Sequence, residues 1–260
     1  MKQAQSIWSK VARLLFLLLL LVILFAAAIF LDRYNLSAKK KEVKIKEAPP
    51  AILKYKTLTA KFFPFSEENS LKEWEEKIFK DRVVYRIERS EGSSYVRANS
   101  KAAASALYYK IKLDAKNKRP VISWKWRVEK FPDKTIPERL EADTENDFAA
   151  HVYVIFPAMF FTNSKVLEYV WAEDIPVGSI GTSPYSRNIK LMALRAGPAK
   201  EGRWFDEERD IEADYMRMFG RAPEYDIGAI AFMTNAEHTG TTADAMYDNI
   251  RIGYRENESQ

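Results

Sequence analysis

Two stretches near the middle of the chain alternate between apolar and polar residues, a period that suits a strand and not a helix. In Val121–Val128 (VISWKWRV), Ile122, Trp124, Trp126 and Val128 share one face, and Ser123, Lys125 and Arg127 share the other. In Asp147–Phe156 (DFAAHVYVIF), Val152, Val154 and Phe156 alternate with His151, Tyr153 and Ile155. Two such strands mark the centre of a sheet, and the segment between them, Phe131–Asn146, is rich in proline and acid.

Further short runs follow the same rule. Arg82–Arg89, Ser94–Asn99, Ala106–Leu113, Val166–Ala172, Asn188–Leu194, Ile227–Met233 and Ala245–Tyr254 read as strands separated by Gly, Pro and Asn. Two helices are expected. Ser70–Lys80 opens with Ser70 and carries Glu73 three residues on, the spacing of a capping box. Asp210–Phe219 places Ile211, Tyr215, Met218 and Phe219 along one side. No strand–helix–strand series and no glycine-rich phosphate loop is present. The pattern predicts an all-β fold, an antiparallel β-sandwich of jelly-roll form with one or two short helices.

Ahead of this domain, Leu14–Leu31 is eighteen uninterrupted apolar residues. At the helical rise that is roughly 27 Å, enough to cross a bilayer core. The expected organisation is a basic head over residues 1–13, a transmembrane helix or signal anchor over 14–31, a charged tether over 32–50 and a β-sandwich over 51–260. Ala26-Ala27-Ala28 would suit cleavage as a secretory signal, but the apolar run continues past it. Charge divides along the same line. The chain carries +5 overall, while residues 1–47 hold nine Lys or Arg and three acids, or +6, leaving −1 for the rest. The basic balance therefore belongs to the membrane flanks, and no nucleic-acid partner is expected. Cysteine is absent, which excludes disulfides, thiolate metal sites and lipidated cysteine.

Taken together, Ala104–Tyr108 (ASALY), Trp124–Val128 (WKWRV), Asp147–Phe156, Tyr169–Ala172 (YVWA), Glu208–Gly220 (ERDIEADYMRMFG), Thr234 and Ala245–Ile250 (AMYDNI) resemble an uncharacterised family of bacterial envelope proteins known as a domain of unknown function. The resemblance runs from about Phe79 to Tyr254. It implies an exported jelly-roll-like sandwich, and so a single-pass inner-membrane protein with its domain in the periplasm. The lysines after the apolar segment point the other way by the positive-inside rule, and the resemblance decides between the two cues. The closing strand is also similar to the last strand of carbohydrate-binding jelly rolls. The chain departs from the family pattern at Asn146-Asp147, where that pattern has paired Asp, at His151, where it has Arg, and at Asn235–His238, where it has an Asp-rich turn.

Several groupings bear on function. Glu141, Asp143, Glu145 and Asp147 alternate like calcium ligands but lack the glycine turn of an EF-hand, and read as an acidic loop. His151 and His238 are the two histidines, with no metal-binding spacing between them. Glu207, Glu208, Arg209, Asp210 and Asp214 form either a salt-bridge network or a polar pocket beside Trp204. No metal and no cofactor is expected. Asp147 and His151 lie four apart on one strand, so they share a face. With Arg209 as a hydrogen-bonding fork and Trp171 as a stacking surface, they are the expected wall of a ligand-binding cleft. No catalytic residue is assigned. The reading is a non-catalytic module that binds a glycan or another envelope component. One alternative is a glycan hydrolase using carboxylates such as Glu208 and Asp214. The other is a structural or assembly partner.

Overall fold

The computed structural model describes residues 57–90, 92–198 and 202–256. The apolar segment Leu14–Leu31 and the tether lie outside the described residues, among which no helix is long and apolar enough to cross a membrane. The described residues form thirteen strands: β1 (Thr57–Phe63), β2 (Glu75–Lys80), β3 (Val84–Ser90), β4 (Ser93–Lys101), β5 (Ala104–Leu113), β6 (Pro120–Lys130), β7 (Ala150–Phe156), β8 (Lys165–Ala172), β9 (Ile180–Thr182), β10 (Ile189–Ala196), β11 (Phe205–Asp210), β12 (Ile227–Asn235) and β13 (Thr242–Arg255). Among them one α-helix, α1 (Ile211–Phe219), follows β11.

The strands make two sheets. One has the order β11-β6-β13-β4-β3, with β1 on the second half of β13. The other has the order β2-β5-β12-β7-β8-β10-β9. Their inner faces meet through the predicted alternation. Ile122, Trp124, Trp126 and Val128 of β6 are all buried, as are Val152, Val154 and Phe156 of β7. Trp124 lies 5.5 Å from Tyr169, and Trp126 lies 5.6 Å from Trp171, ring centre to ring centre. The long fourteen-residue β13 is the spine of the first sheet. It can carry β1 alongside because Gly253 has no side chain, where a Cβ would stand 2.2 Å from the Leu58 carbonyl oxygen.

Two expectations are corrected. Ser70–Lys80 is not a helix: a single 3₁₀ turn spans Ser70–Glu73 and the chain then enters β2. Ser70 caps nothing there, since its hydroxyl accepts from the Glu67 N–H at 3.1 Å. Trp74 is instead drawn into the core against Phe63 and Phe232, and the charged residues beyond it pair along the edge of β5. The sandwich is also not wholly antiparallel. After β8 the chain passes out to the sheet edge, forms β9, and returns as β10 between β9 and β8, so β10 runs parallel to β8. The second helix stands where it was expected. The Asp210 side chain accepts from the Ala213 N–H at 3.0 Å, and Gly220 closes the helix at φ +74°.

The segment between β6 and β7 folds over the outer face of the second sheet. Leu140, Phe148 and Ile175 cover Val170, Ala172, Leu191 and Ala193. A buried Lys134–Glu138 ion pair pins it, and the other Glu138 oxygen accepts the backbone N–H groups of Glu173 and Asp174 at 2.8 and 2.9 Å. Gly181 lets the segment approach, for a Cβ there would lie 2.6 Å from that of Leu140.

One carboxyl in this framework gives a pH signature. In β13 the pairing register with β6 shifts between Asp248 and Arg251, and Asn249 takes φ +49°. Asp248 is half-buried at this irregularity, and burial pushes its carboxyl up to about 6, against the opposing pull of the Asn249 N–H and Lys125. A raised acid favours the fold when protonated. Its stabilising contribution is complete below the unfolded value of about 3.9 and is lost as pH rises through the folded value. Asp248→Asn should therefore raise the melting temperature at pH 8 and bring little change at pH 4, read by thermal denaturation at both. An equal effect at the two pH values would contradict this.

Candidate functional site

Antiparallel register places particular side chains in rows across the outer face of the second sheet. Residues directly opposite one another share a face. Glu75 stands opposite Tyr108, Tyr108 opposite Ala231, Ala231 opposite Tyr153, and Tyr153 opposite Glu168. These residues alternate with Leu107, Phe232, Val152, Val154 and Leu167, which belong to the core. Two residues along the strands lie parallel rows: Lys110, Ala229 and Ile155 on one side, Ala106, Met233 and His151 on the other. The difference in side-chain size makes a shallow trough: Ala106, Ala229 and Ala231, small and nearly covered, lie between the half-buried rings of Tyr108 and Tyr153. With strands about 4.8 Å apart, the two tyrosines stand roughly 10 Å from one another across Ala231.

Each tyrosine is oriented by a carboxylate. The Tyr108 hydroxyl donates to Glu75 at 2.6 Å, and Lys110 reaches the other Glu75 oxygen at 2.8 Å. Those two partners hold the Glu75 carboxyl below its ordinary value, with Lys110 the larger influence. The Tyr153 hydroxyl donates to Glu168 at 3.2 Å. Burial first, and then Glu168, push that hydroxyl well above the usual tyrosine value, so it stays a neutral donor. The Tyr153 ring stacks on that of His151 at 5.6 Å and 7°.

Behind the trough runs a buried polar string. Asp147 is fully enclosed and accepts from Asn235 Nδ2 at 2.7 Å, from the Thr239 N–H and hydroxyl at 2.8 Å each, and from the His238 N–H at 3.3 Å. Asn235 turns its Oδ1 to His151 Nε2 at 2.8 Å and to the Phe148 N–H at 3.1 Å. His151 Nδ1 meets Glu168 at 2.7 Å. Both ring nitrogens thus face acceptors, and with the Asn235 amide oriented this way Nε2 is the donor to Asn235. Closer to solvent, the hydroxyl of the partly exposed Tyr185 meets the ring of His238 at 3.0 Å, and its partial burial, then Glu237, push it up to about 12.

The four residues chosen from the sequence divide between two environments. Asp147 and His151 come together through Asn235, although Asp147 precedes β7 and so does not share a strand with His151 as expected. Trp171 does not join them. It is one residue off in register, facing inward against Trp126 and Phe205, and its Nε1 donates to the Gly197 carbonyl at 2.9 Å. Arg209 also points inward. It forks onto Asp214 at 2.8 and 2.5 Å, and Asp214 accepts the Tyr169 hydroxyl at 2.8 Å. No single cleft is walled by all four, because neighbouring residues on a strand face opposite ways. Glu208 likewise alternates with Glu207 and Arg209, so it projects from β11 on the side away from Asp214. The acidic run disperses too. Glu141 accepts from the Thr182 N–H at 3.0 Å, Glu145 caps Thr135, and Asp147 joins the string. Among the described residues no group of three or more His, Asp or Glu is placed to hold a metal ion.

Sequence reasoning passed over Tyr108, Ala231, Tyr153, Glu168 and Asn235. The alternation in ALYYKIKL and HVYVIF marks both tyrosines as outward-facing, but their alignment across β12 depends on register.

The chain belongs to the family described as "Protein of unknown function (DUF3047)", whose profile matches residues 72–251. No curated protein matches it by sequence. Among solved structures it is similar to the family 11 carbohydrate-binding module of the cellulosomal cellulase Lic26A-Cel5E of Clostridium thermocellum. That match has 10% identity and a TM-score of 0.40, over 81% of this chain and 100% of the module. It is similar also to a cellulose-induced protein, at 11% identity and a TM-score of 0.41, over 77% of this chain and 100% of that one. A third similarity is to the mannan-recognising module TmCBM27, at 10% identity and a TM-score of 0.36, over 77% and 99%.

The string behind the trough makes a stability prediction. Asp147→Ala strands the buried donors of Asn235 and Thr239, and should cost about 3 kcal/mol. Asp147→Asn, which keeps the shape and one acceptor, should cost less. Chemical denaturation followed by tryptophan fluorescence reads both, and equal stability of Asp147→Ala and wild type would contradict the structural role.

Proposed function

We propose that this protein is a non-catalytic glycan-binding β-sandwich, held at the inner membrane by Leu14–Leu31 with its domain in the periplasm, and that the outer-face trough receives the sugar. The anchor and the orientation rest on the apolar run and on the envelope-family resemblance. The jelly-roll reading is supported by the way β4, β5, β6 and β7 pass alternately from one sheet to the other.

The observation that carries the binding reading is the row Glu75–Tyr108–Ala231–Tyr153–Glu168. Tyrosine rings offer apolar faces to the C–H faces of a pyranose, alanines leave room for the ring between them, and carboxylates at each end accept hydroxyl donors. The same row disfavours the hydrolase reading. Glu75 and Glu168 are four strands apart, about 19 Å along the sheet, whereas paired glycosidase carboxylates stand roughly 5 to 9.5 Å apart. Glu208 and Asp214 project from opposite sides and form no pair.

The test is a glycan array probed with the full-length protein in neutral detergent, followed by affinity measurement on the best binder. Tyr108→Ala and Tyr153→Ala should each remove about 1 kcal/mol, roughly a fivefold loss, while Tyr108→Phe retains most of the binding. Absence of any binder, or alanine variants that bind as the wild type does, would leave the assembly-partner reading in its place.

A further inference from the structure

At the other end of β7 from Asp147, a cleft of about 550 Å³ opens between the start of β8, the start of β10 and the segment after α1. Lys165, Arg187, Lys190 and Arg221 line it, together with Asn163 and Asn188. Glu224 is the one carboxylate among its lining residues, so the cleft carries a surplus of three positive charges.

The cations are positioned rather than scattered. Asn188 is buried; its Oδ1 accepts from Lys165 Nζ at 2.5 Å, and its Nδ2 donates to the Thr162 carbonyl at 2.5 Å. Lys190 donates to the Thr182 hydroxyl at 2.7 Å, and Arg221 holds Glu224 at 2.7 Å. Among the described residues Arg187 makes no ion pair. Burial first, and then the nearby Arg221, hold the Lys165 ammonium below its ordinary value, with Glu224 pulling the other way and Arg187 and Lys190 adding to the lowering. Tyr225 forms one side and continues into a second cleft of about 430 Å³ that adds Lys112, and Lys116 paired with Asp226 at 3.6 Å.

We propose that this cleft is an anion site for a phosphate-bearing ligand. A surplus of three charges matches a doubly charged phosphate better than a single carboxylate, and two arginines supply planar forks for its oxygens. The volume leaves room for an organic group attached to the phosphate, against Tyr225. The ligand could be a free phosphorylated molecule or a phospholipid headgroup. The second source is raised by the neighbouring loop tip, where Met159 and Phe160 are 91% and 66% exposed, and where Asn163, a lining residue, donates to the Phe160 carbonyl at 2.8 Å. The site is separate from the sugar trough and does not depend on it.

The experiment titrates full-length protein in neutral detergent with inorganic pyrophosphate, and separately with the same micelles doped with phosphatidylglycerol, by calorimetry. Saturable pyrophosphate binding is expected. Arg187→Glu should weaken it about tenfold or more with no loss of melting temperature, since Arg187 is exposed and supports no other group. Arg221→Gln should weaken it as well. Lys101→Glu, at the exposed end of β4, should leave it unchanged. If the phosphate belongs to a lipid, doped micelles also bind in an Arg187-dependent way, and Phe160→Ser removes that binding while sparing pyrophosphate. If it belongs to a free molecule, pyrophosphate binds and the doped micelles show no dependence on Arg187. Failure of pyrophosphate to saturate would overturn the proposal. So would an equal loss from Lys101→Glu, which would mean a diffuse positive field and no site.

Discussion

Four aromatic rings between the sheets decide which way every other side chain looks. Trp124 and Trp126 of β6 meet Tyr169 and Trp171 of β8 across the sandwich, and each is almost wholly buried. Rings of this size bury more apolar surface than any neighbour and fix their strands' inward faces. Since side chains alternate, the residues between them are then committed outward. Glu168 and Val170 face out because Tyr169 and Trp171 face in. The candidate sugar trough is thus the reverse side of the core.

That dependence explains what was legible in the sequence. The alternation around Trp124, the strand through Val152 and the helix between Asp210 and Gly220 are local patterns, and each stands where it was expected. Asp147 and His151 were expected on one strand, but β7 starts at Ala150, and the two are joined through Asn235 and not by strand alternation. Trp171 and Arg209 could not be assigned from a local pattern. Whether Trp171 faces core or solvent depends on its register against β7, which pairs it with Ala150 and leaves Val170 opposite His151. The row of Tyr108, Ala231 and Tyr153 draws on three strands far apart in sequence and is invisible until their register is known. The Ser70 segment misled for a related reason. Its local capping signal was overridden by the burial of Trp74 beside Phe63, a contact between distant parts of the chain.

The outer face is shaped by polar contacts as much as by the core. The buried Lys134–Glu138 pair holds the β6–β7 segment over β8 and β10, while the faces of β5, β12 and β7 carry the trough. The Asp147–Asn235–His151–Glu168 string joins the end of β12 to the start of β7 and to β8, setting the angle at which Tyr153 is presented. The string is self-consistent, for each ring nitrogen of His151 meets a partner of its own, Glu168 at Nδ1 and Asn235 at Nε2. A buried network in which every member is paired fixes one geometry and makes the loss of any member costly.

The central claim is that a saccharide lies on the alanine floor between Tyr108 and Tyr153. The most direct measurement is methyl NMR of ¹³C-alanine-labelled full-length protein titrated with the best-binding oligosaccharide from an array. The account predicts that the methyl resonances of Ala106, Ala229 and Ala231 move together and saturate with the binding curve. Saturable binding that leaves these three methyl signals in place would contradict it.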